Sequence, residues 1–410
     1  MDLNFINTFC QRLNLRLQPV VLVLSVLYVV LMALVFLSRP AHGDEFIFIG
    51  DLQFVMDNGF WAASASQVSL PQMLLAYPLA LLFSPLVALR TINVLIMLFL
   101  LYYIVRIRKL NTDVVIYFLF YFGTAHFFFS GISDVLFIAG MVVFFTETML
   151  YLDDTKDSNL NWGFLGLIVA FFTREIVLFY LLAVILGCYL VYSTGWRPRL
   201  KKSIPHLFLI TFFVVLNIPG MLRNGKLSYD DRVPETVKNA NMWQLRYLSR
   251  IMIDQGFIAD YTYADWDEVL YYMEENGQQS LPSDALGTLV TNPELTIIEF
   301  FQNLADSVFF SVHAIGFMML FCFFYFMRGY FFGNEGLFGL FVPMSFAFVM
   351  ILVSLIAISF IESRWYASIL LPVTIFFSEQ ARREKYSHSF LTANFATLCL
   401  MMLYGMFILQ

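Results

Sequence analysis

Charge is scarce in this chain of 410 residues: Asp, Glu, Lys and Arg make up 13% of it, about half the share an ordinary soluble domain carries. That shortage excludes a soluble enzyme and a disordered chain, both of which need a well-solvated surface. An excess of Lys and Arg is lacking as well. The net charge is −6, whereas a nucleic-acid partner demands clustered basic residues against its phosphates. Cysteine is rare, with four residues. Cys188, Cys322 and Cys399 sit in apolar runs and Cys10 in the N-terminal segment, so no disulfide framework is expected, and no Cys/His spacing suits zinc. What is abundant is hydrocarbon: 60% apolar residues, 18% aromatic, 47 Phe and a mean hydropathy of +0.74. These values describe an all-α polytopic membrane protein.

The first apolar run, Pro19 to Leu37, is uncharged over 19 residues, long enough to cross ~30 Å of hydrocarbon. It outlasts a secretory h-region and is followed by Ser38, Arg39 and Pro40, so it reads as a retained span. Further runs fall at about 71–85, 88–105, 113–129, 135–152, 162–173, 176–193, 204–221, 308–327, 337–361, 366–377 and 390–409. Arg12 and Arg16 place the N-terminus in the cytoplasm. If every run crossed, Arg106, Arg108, Lys109 and each later basic cluster would then lie outside, against the positive-inside rule. Treating 71–85 as an interfacial helix, broken by Pro71, Pro78 and Pro85, removes the conflict. Lys156, Arg197, Arg199, Lys201, Lys202, Arg328, Arg382, Arg383 and Lys385 then join the inner face, which holds 14 of the 24 basic residues. The outer face holds 21 of the 30 acidic ones. The expectation is about eleven transmembrane helices, with the N-terminus cytoplasmic and the C-terminus outside.

Three regions follow. Residues 1–221 form a transmembrane module whose first outer loop, 38–87, carries two interfacial helices: an acidic stretch from Asp44 to Asp57 and the segment 71–85. Residues 222–307 form a large outer loop with turn signals at Asn224-Gly225, Asn276-Gly277 and Pro282. Within it, 241–257 and 264–275 carry Trp243, Tyr247, Trp266 and Tyr271 beside charges, as interfacial helices do. Residues 308–410 supply the remaining spans. There is no internal repeat.

Four charged spots fall where a span meets the outer face: His42-Gly-Asp44-Glu45, Asp134, Arg174-Glu175 and Glu362-Ser-Arg364-Trp-Tyr366. Charge at that depth is expensive unless it lines a wet cavity or binds something. Carboxylates and arginines converging on one face suit a site that deprotonates an alcohol and holds an anion. Each residue also has a structural reading. Asp44 and Glu45 can cap the following helix, Asp134 can cap its own span, Arg174 and Glu175 can staple each other, and Arg364 can snorkel to headgroups. His126, His313 and Glu147 read as structural. Asp265-Trp-Asp267 has the spacing of a sugar-nucleotide metal motif, which three residues match by chance.

These residues resemble the GT-C superfamily of membrane glycosyltransferases, which use polyprenyl-phosphate sugars. The acidic pair after the first span resembles Asp44-Glu45; the Pro-containing helix and the Arg opening the next span resemble "SLPQMLLAYPLALLF" and "LRTINVLIMLFLLYYIVRIRK". "SGISDVLFIAGMVVFF", "WGFLGLIVAFFTREIVLFYLL" and "ESRWYASILLP" are similar to the later signatures, in order over spans 1 to 6 and 9 to 10. Within the superfamily, "DEFIFIGDLQF" and "FLGLIVAFFTRE" look like dolichyl-phosphate-glucose glucosyltransferases, and "TNPELTIIEFF" like bacterial enzymes that decorate O-antigen or envelope polysaccharide. Two departures stand: the family's Lys is Arg174 here, and its Arg-Tyr pair is interrupted as Arg364-Trp365-Tyr366.

The resemblance implies a direct, inverting sugar transfer at the periplasmic face of a bacterial inner membrane. The donor would be an undecaprenyl-type polyprenyl-phosphate sugar, the acceptor a glycan or lipid-linked glycan. Asp44 would be the general base with Glu45 as neighbour or fallback, Asp134 would position the acceptor or share the base role, and Arg174, Arg364 and Tyr366 would hold the donor phosphate. His42 and Glu175 would be accessory. Phosphate leaves readily, so no cofactor is required, although His42 and the nearby acids leave room for a divalent metal. Two rivals remain. A polysaccharide polymerase or ligase would rely on Arg and His in a long outer loop, and a lipid or sugar flippase on midplane charges and repeated halves.

Overall fold

The computed structural model describes residues 3–153, 158–197, 200–229, 237, 240–260, 262–320, 337–356, 358, 360–382 and 388–408. Cys322, Lys156, Arg199, Arg328, Arg383 and Lys385 lie outside these residues. Among the described residues there is no strand. The helices are α1 (Leu3–Ser38), α2 (Glu45–Ala65), α3 (Leu70–Ala80), α4 (Pro85–Tyr102), α5 (Thr112–Thr124), α6 (Asp134–Asp153), α7 (Leu160–Thr173) and α8 (Leu181–Ser193). They continue with α9 (Leu200–Asn224), α10 (Met242–Asp254), α11 (Trp266–Asn276), α12 (Ala285–Thr291), α13 (Pro293–Ile315), α14 (Leu337–Ile356), α15 (Ala367–Arg382) and α16 (His388–Ile408).

Eight of the described helices are long and apolar enough to cross a bilayer, and three shorter apolar helices, Thr112–Thr124, Leu160–Thr173 and Ala367–Gln380, accompany them. The chain is an all-α polytopic membrane protein. α6 stands at its centre, packed on α4, α7, α8, α14 and α15, and is almost wholly buried. α1, α9 and α16 present largely exposed apolar surfaces at the periphery, as lipid-facing helices do.

The ends of the helices gather in two sets. Arg90, in the first turns of α4, donates to the carbonyls of Leu37 (3.0 Å) and Arg39 (2.7 Å) at the end of α1. The intervening chain therefore leaves and returns at one end of the bundle. α3 has 11 residues, about 16 Å of helix and half the hydrocarbon thickness. Its N-cap Ser69 donates to Thr173 O at the end of α7 (2.7 Å). Pro85 belongs to the next element instead: it sits at N1 of α4 behind Ser84, where its fixed φ and missing N–H are favourable. At the other end, Arg108 pairs with buried Glu147 at 2.5 Å. Glu147 also accepts from Tyr103 (2.5 Å) and from the Asn159 amide (2.6 Å), which makes it the structural acid that its position suggested.

One boundary moved. The expected outer loop 222–307 gives way at Pro293 to α13, whose Glu294, Glu299 and Asp306 interrupt the apolar pattern ahead of residue 308. α10 and α11 form as expected, each with a capping box, Asn241 with Gln244 and Asp265 with Glu268. Asp265 is thus a helix cap, which accounts for the Asp265-Trp-Asp267 spacing without a metal. These helices share a small core of Leu245, Leu248, Val269 and Met273 that also takes in Ile358 after α14.

α6 and α7 pack backbone to backbone. A Cβ on Gly140 would lie 2.4 Å from Gly166 O, and one on Gly166 would lie 2.5 Å from Gly140 O. Small residues at such a crossing let membrane helices approach closely. Gly140→Val should lower the melting temperature in detergent, by the equivalent of roughly 1–3 kcal/mol for overpacking; an unchanged melting temperature would mean the helices do not meet there.

Candidate functional site

The site begins with a buried staple. Glu45 opens α2 and is 1% exposed. Both its oxygens are engaged: Arg90 Nε donates to Oε1 (2.9 Å) and Nη2 to Oε2 (2.7 Å), and the Gly131 amide donates to Oε1 (2.7 Å). His42 joins from the surface, with Nδ1 3.3 Å from Oε2. Burial opposes the charge on Glu45, but Arg90 and the Gly131 and His42 amides outweigh it, so the carboxyl is held below the usual carboxylate range. This pair joins α1, α2, α4 and the turn before α6.

The staple orients Asp44. Asp44 occupies the N-cap position of α2, yet its side chain makes no capping bond; it reaches Arg364 Nη2 at 2.5 Å instead. Arg364 lies in a one-turn 3-10 helix, Ser363–Trp365, that enters α15. Glu362 faces its Nε at 2.5 Å, and Asp134, the first residue of α6, faces Nη1 at 3.4 Å. Three carboxylates from three parts of the chain thus meet one guanidinium. Burial disfavours the Arg364 charge, but Asp134, Glu362 and Asp44 more than restore it, so its pKa is raised and it stays cationic. With its side chain 12% exposed and so engaged, Arg364 does not snorkel.

Arg174 is the second cation. α7 ends at Thr173, and Arg174 is extended (φ −145°, ψ 136°). Its Nη2 lies 3.7 Å from Asp134 Oδ1, so Asp134, 2% exposed on its side chain, stands between both arginines. Asp44 differs: its side chain is 47% exposed, which makes it the most accessible of the three carboxylates on Arg364.

A cleft of about 400 Å³ adjoins the cluster, lined among others by Arg174, Glu175, Tyr229, Trp243, Arg246 and Trp365. Glu175 is exposed at its wall. Burial, then the Glu175 charge, pushes the Tyr229 hydroxyl up to about 12. Arg246, on α10, sits with its guanidinium 5.9 Å above the Trp365 ring.

Tyr366 is elsewhere. Its hydroxyl is fully buried and bonds Ser307 of α13, so the phosphate contact expected of it is replaced by a helix-to-helix bond. His126 stacks on Phe36 with ring centroids 5.3 Å apart; burial first, then the His42, Arg39 and Arg364 charges, lower its pKa. Among the described residues no group of three His, Cys, Asp or Glu side chains is arranged to hold a metal ion.

Asp44, Asp134, Arg174 and Arg364 are therefore brought together, with Glu45 and His42 one layer behind. Sequence reasoning undervalued Glu362 and missed Arg246 and Tyr229. The signal for Arg246 was its spacing from Trp243, three residues apart and so on one helical face. No family model, curated protein or solved structure matches the chain.

Glu45→Gln should lower stability at neutral pH by roughly 3–5 kcal/mol, because Arg90 stays buried without its counter-charge. An acid with a depressed folded pKa contributes stability above the ordinary carboxylate range and loses it as pH falls through that lowered pKa. Melting temperatures followed from neutral pH down to about pH 2, below the ordinary carboxylate range, should consequently fall more steeply in the wild type than in Glu45→Gln, with the difference arising below about pH 5.

Proposed function

We infer that the protein is a membrane glycosyltransferase that moves a sugar from a polyprenyl-phosphate donor to an acceptor hydroxyl. One observation carries this reading: a half-exposed carboxylate, Asp44, is held by Arg364 at the helix ends, beside a cleft that presents Arg174. Such a site has a base for an alcohol and a cation for a departing phosphate.

The step is a direct displacement. Asp44 takes the acceptor hydroxyl proton as the oxygen attacks the anomeric carbon. The bond to the donor phosphate breaks, and its electron pair leaves with the phosphate oxygen, whose charge Arg174 stabilises. The sugar inverts. Asp134 holds Arg174 and Arg364 in register, and Glu362 shares Arg364 with Asp44. Glu45 anchors the turn that carries Asp44 and, with both oxygens bonded, is a positioning residue. α10 to α12 form the cover that meets the acceptor.

The distribution of charge supports an outward-facing site. Arg106, Arg108 and Lys109 follow α4 at the end where Arg108 meets Glu147, opposite to Asp44 and Arg364, and a basic end favours the cytoplasm. The reading places the protein in a bacterial inner membrane, with the donor presented at the periplasmic leaflet.

Asp44→Asn in proteoliposomes, supplied with radiolabelled polyprenyl-phosphate hexose and an envelope-glycan acceptor, should lose at least ~10²-fold in transfer rate while the protein accumulates normally. Transfer at the wild-type rate would remove Asp44 as the base. Absence of transfer by the wild type across a panel of such donors would remove the transferase reading itself.

A further inference from the structure

The first turn of α3 carries polar side chains that do not serve α3 itself. Ser69 stands at its N-cap without making a capping bond. The hydroxyl donates instead to Thr173 O (2.7 Å), one residue before Arg174. Gln72 is wholly buried. Its Nε2 donates to Asn93 Oδ1 of α4 (3.0 Å) and to Ile132 O (2.9 Å), two residues before Asp134. Asn93, equally buried, donates to Ser130 O (2.5 Å) and Ile132 O (2.8 Å).

The tripeptide Ser130–Gly131–Ile132 is thereby held from three helices. The Gly131 amide donates to Glu45 of α2 (2.7 Å), and the carbonyls on either side of it accept from Gln72 and Asn93. α4 also presses on it: a Cβ at Gly131 would lie 2.9 Å from Leu89 Cβ, and Leu89 and Asn93, four residues apart, share one face of α4. Primary amides are costly to withdraw from water, and among the described residues Gln72 Oε1 has no hydrogen-bond partner. The two places gripped by this turn of α3 deliver Asp134 and Arg174, whose side chains stand 3.7 Å apart.

We propose that the first turn of α3 sets the separation of Asp134 and Arg174, with Gln72 and Asn93 as positioning residues for the acid and Ser69 for the cation. The link to catalysis rests on the transferase reading; the hold on the turn does not. A turn released from Gln72 lets Asp134 drift, and Arg174 then loses its alignment with the departing phosphate. A displacement of about 1 Å can cost ~10²-fold in rate. Amides also serve as plain glue between membrane helices, but glue strengthens the fold without regard to Asp134.

Two measurements on the full chain test this. Hydrogen–deuterium exchange, read by mass spectrometry on the peptide spanning 126–134, needs no substrate. Gln72→Met and Asn93→Leu should each speed exchange there by at least about tenfold, while peptides from α10 and α11 exchange as in the wild type. Unchanged exchange over 126–134 overturns the hold on the turn. The second measurement is sugar transfer from a radiolabelled polyprenyl-phosphate hexose in proteoliposomes. Gln72→Met should lower kcat by at least about tenfold. Measured on the residual rate of Asp134→Asn, the same substitution should cost less than about twofold, because the acid it positions is gone. An equal cost in both backgrounds marks plain glue and overturns the positioning role. Ser69→Ala, which removes no cap, is the milder variant should Gln72→Met fail to accumulate; its cost in kcat should vanish in Arg174→Ala in the same way. Melting temperatures of each variant separate misfolding from misplacement. Faster exchange with no sugar transfer by the wild type from any donor would leave the hold on the turn standing and remove the transferase reading. Full transfer by Gln72→Met would keep that reading and remove the positioning role.

Discussion

The buried pair of Glu45 and Arg90 decides where everything at this end of the bundle can stand. A carboxylate and a guanidinium removed from water must find each other and fill their remaining hydrogen-bonding positions, or the burial is prohibitive. Here the filling comes from carbonyls at the end of α1 and from the Gly131 amide before α6. One ion pair therefore sets the register of four segments. Asp44 precedes Glu45 by one residue, so its direction follows from a contact in which it takes no part.

The second constraint is the uneven distribution of charge around the two groups of arginines. Arg364 is outnumbered by carboxylates and is locked in place, whereas among the described residues the neighbouring cleft is lined by Arg174 and Arg246 beside Glu175. Two arginines near one another thus stand differently: Arg364 fixes geometry, while Arg174, 3.7 Å from Asp134, also lines the cleft. Low dielectric sharpens this division, because nearby water screens little of it.

Much of this was legible in the residues. The scarcity of charge made the helical segments readable, and alternation of basic clusters set 71–85 apart; the shortness of α3, and the start of α4 at the end of α1, agree with that separation. Asp44, Asp134, Arg174 and Arg364 stood out because each interrupts an apolar run near its end. Other features were hidden for physical reasons. Tyr366 follows Arg364 closely in sequence, but the turn into α15 sends it into the helix packing toward Ser307. Pro85 looked like the end of one helix and is the start of another, since proline suits a helix's first turn as well as it suits a break. Glu45 and Asp44 were alike as letters; only the packing of Arg90 tells them apart. Arg246 lies in a polar stretch with Arg250 one turn on, where basic residues carry little contrast and its spacing from Trp243 is its one mark.

The centrality of α6 has a consequence for how the protein is built. Its acids are answered from both directions along the chain. Glu147 meets Arg108, which is already synthesised when α6 emerges, and Gly140 meets Gly166 on the very next helix. Asp134 is completed by Arg364 only 230 residues later. The α6–α7 hairpin can therefore settle early as a unit of membrane assembly, while the charged cluster closes last. A nascent chain carries its central helix in place well before it carries a finished site, so any chemistry there waits for the final helices to arrive.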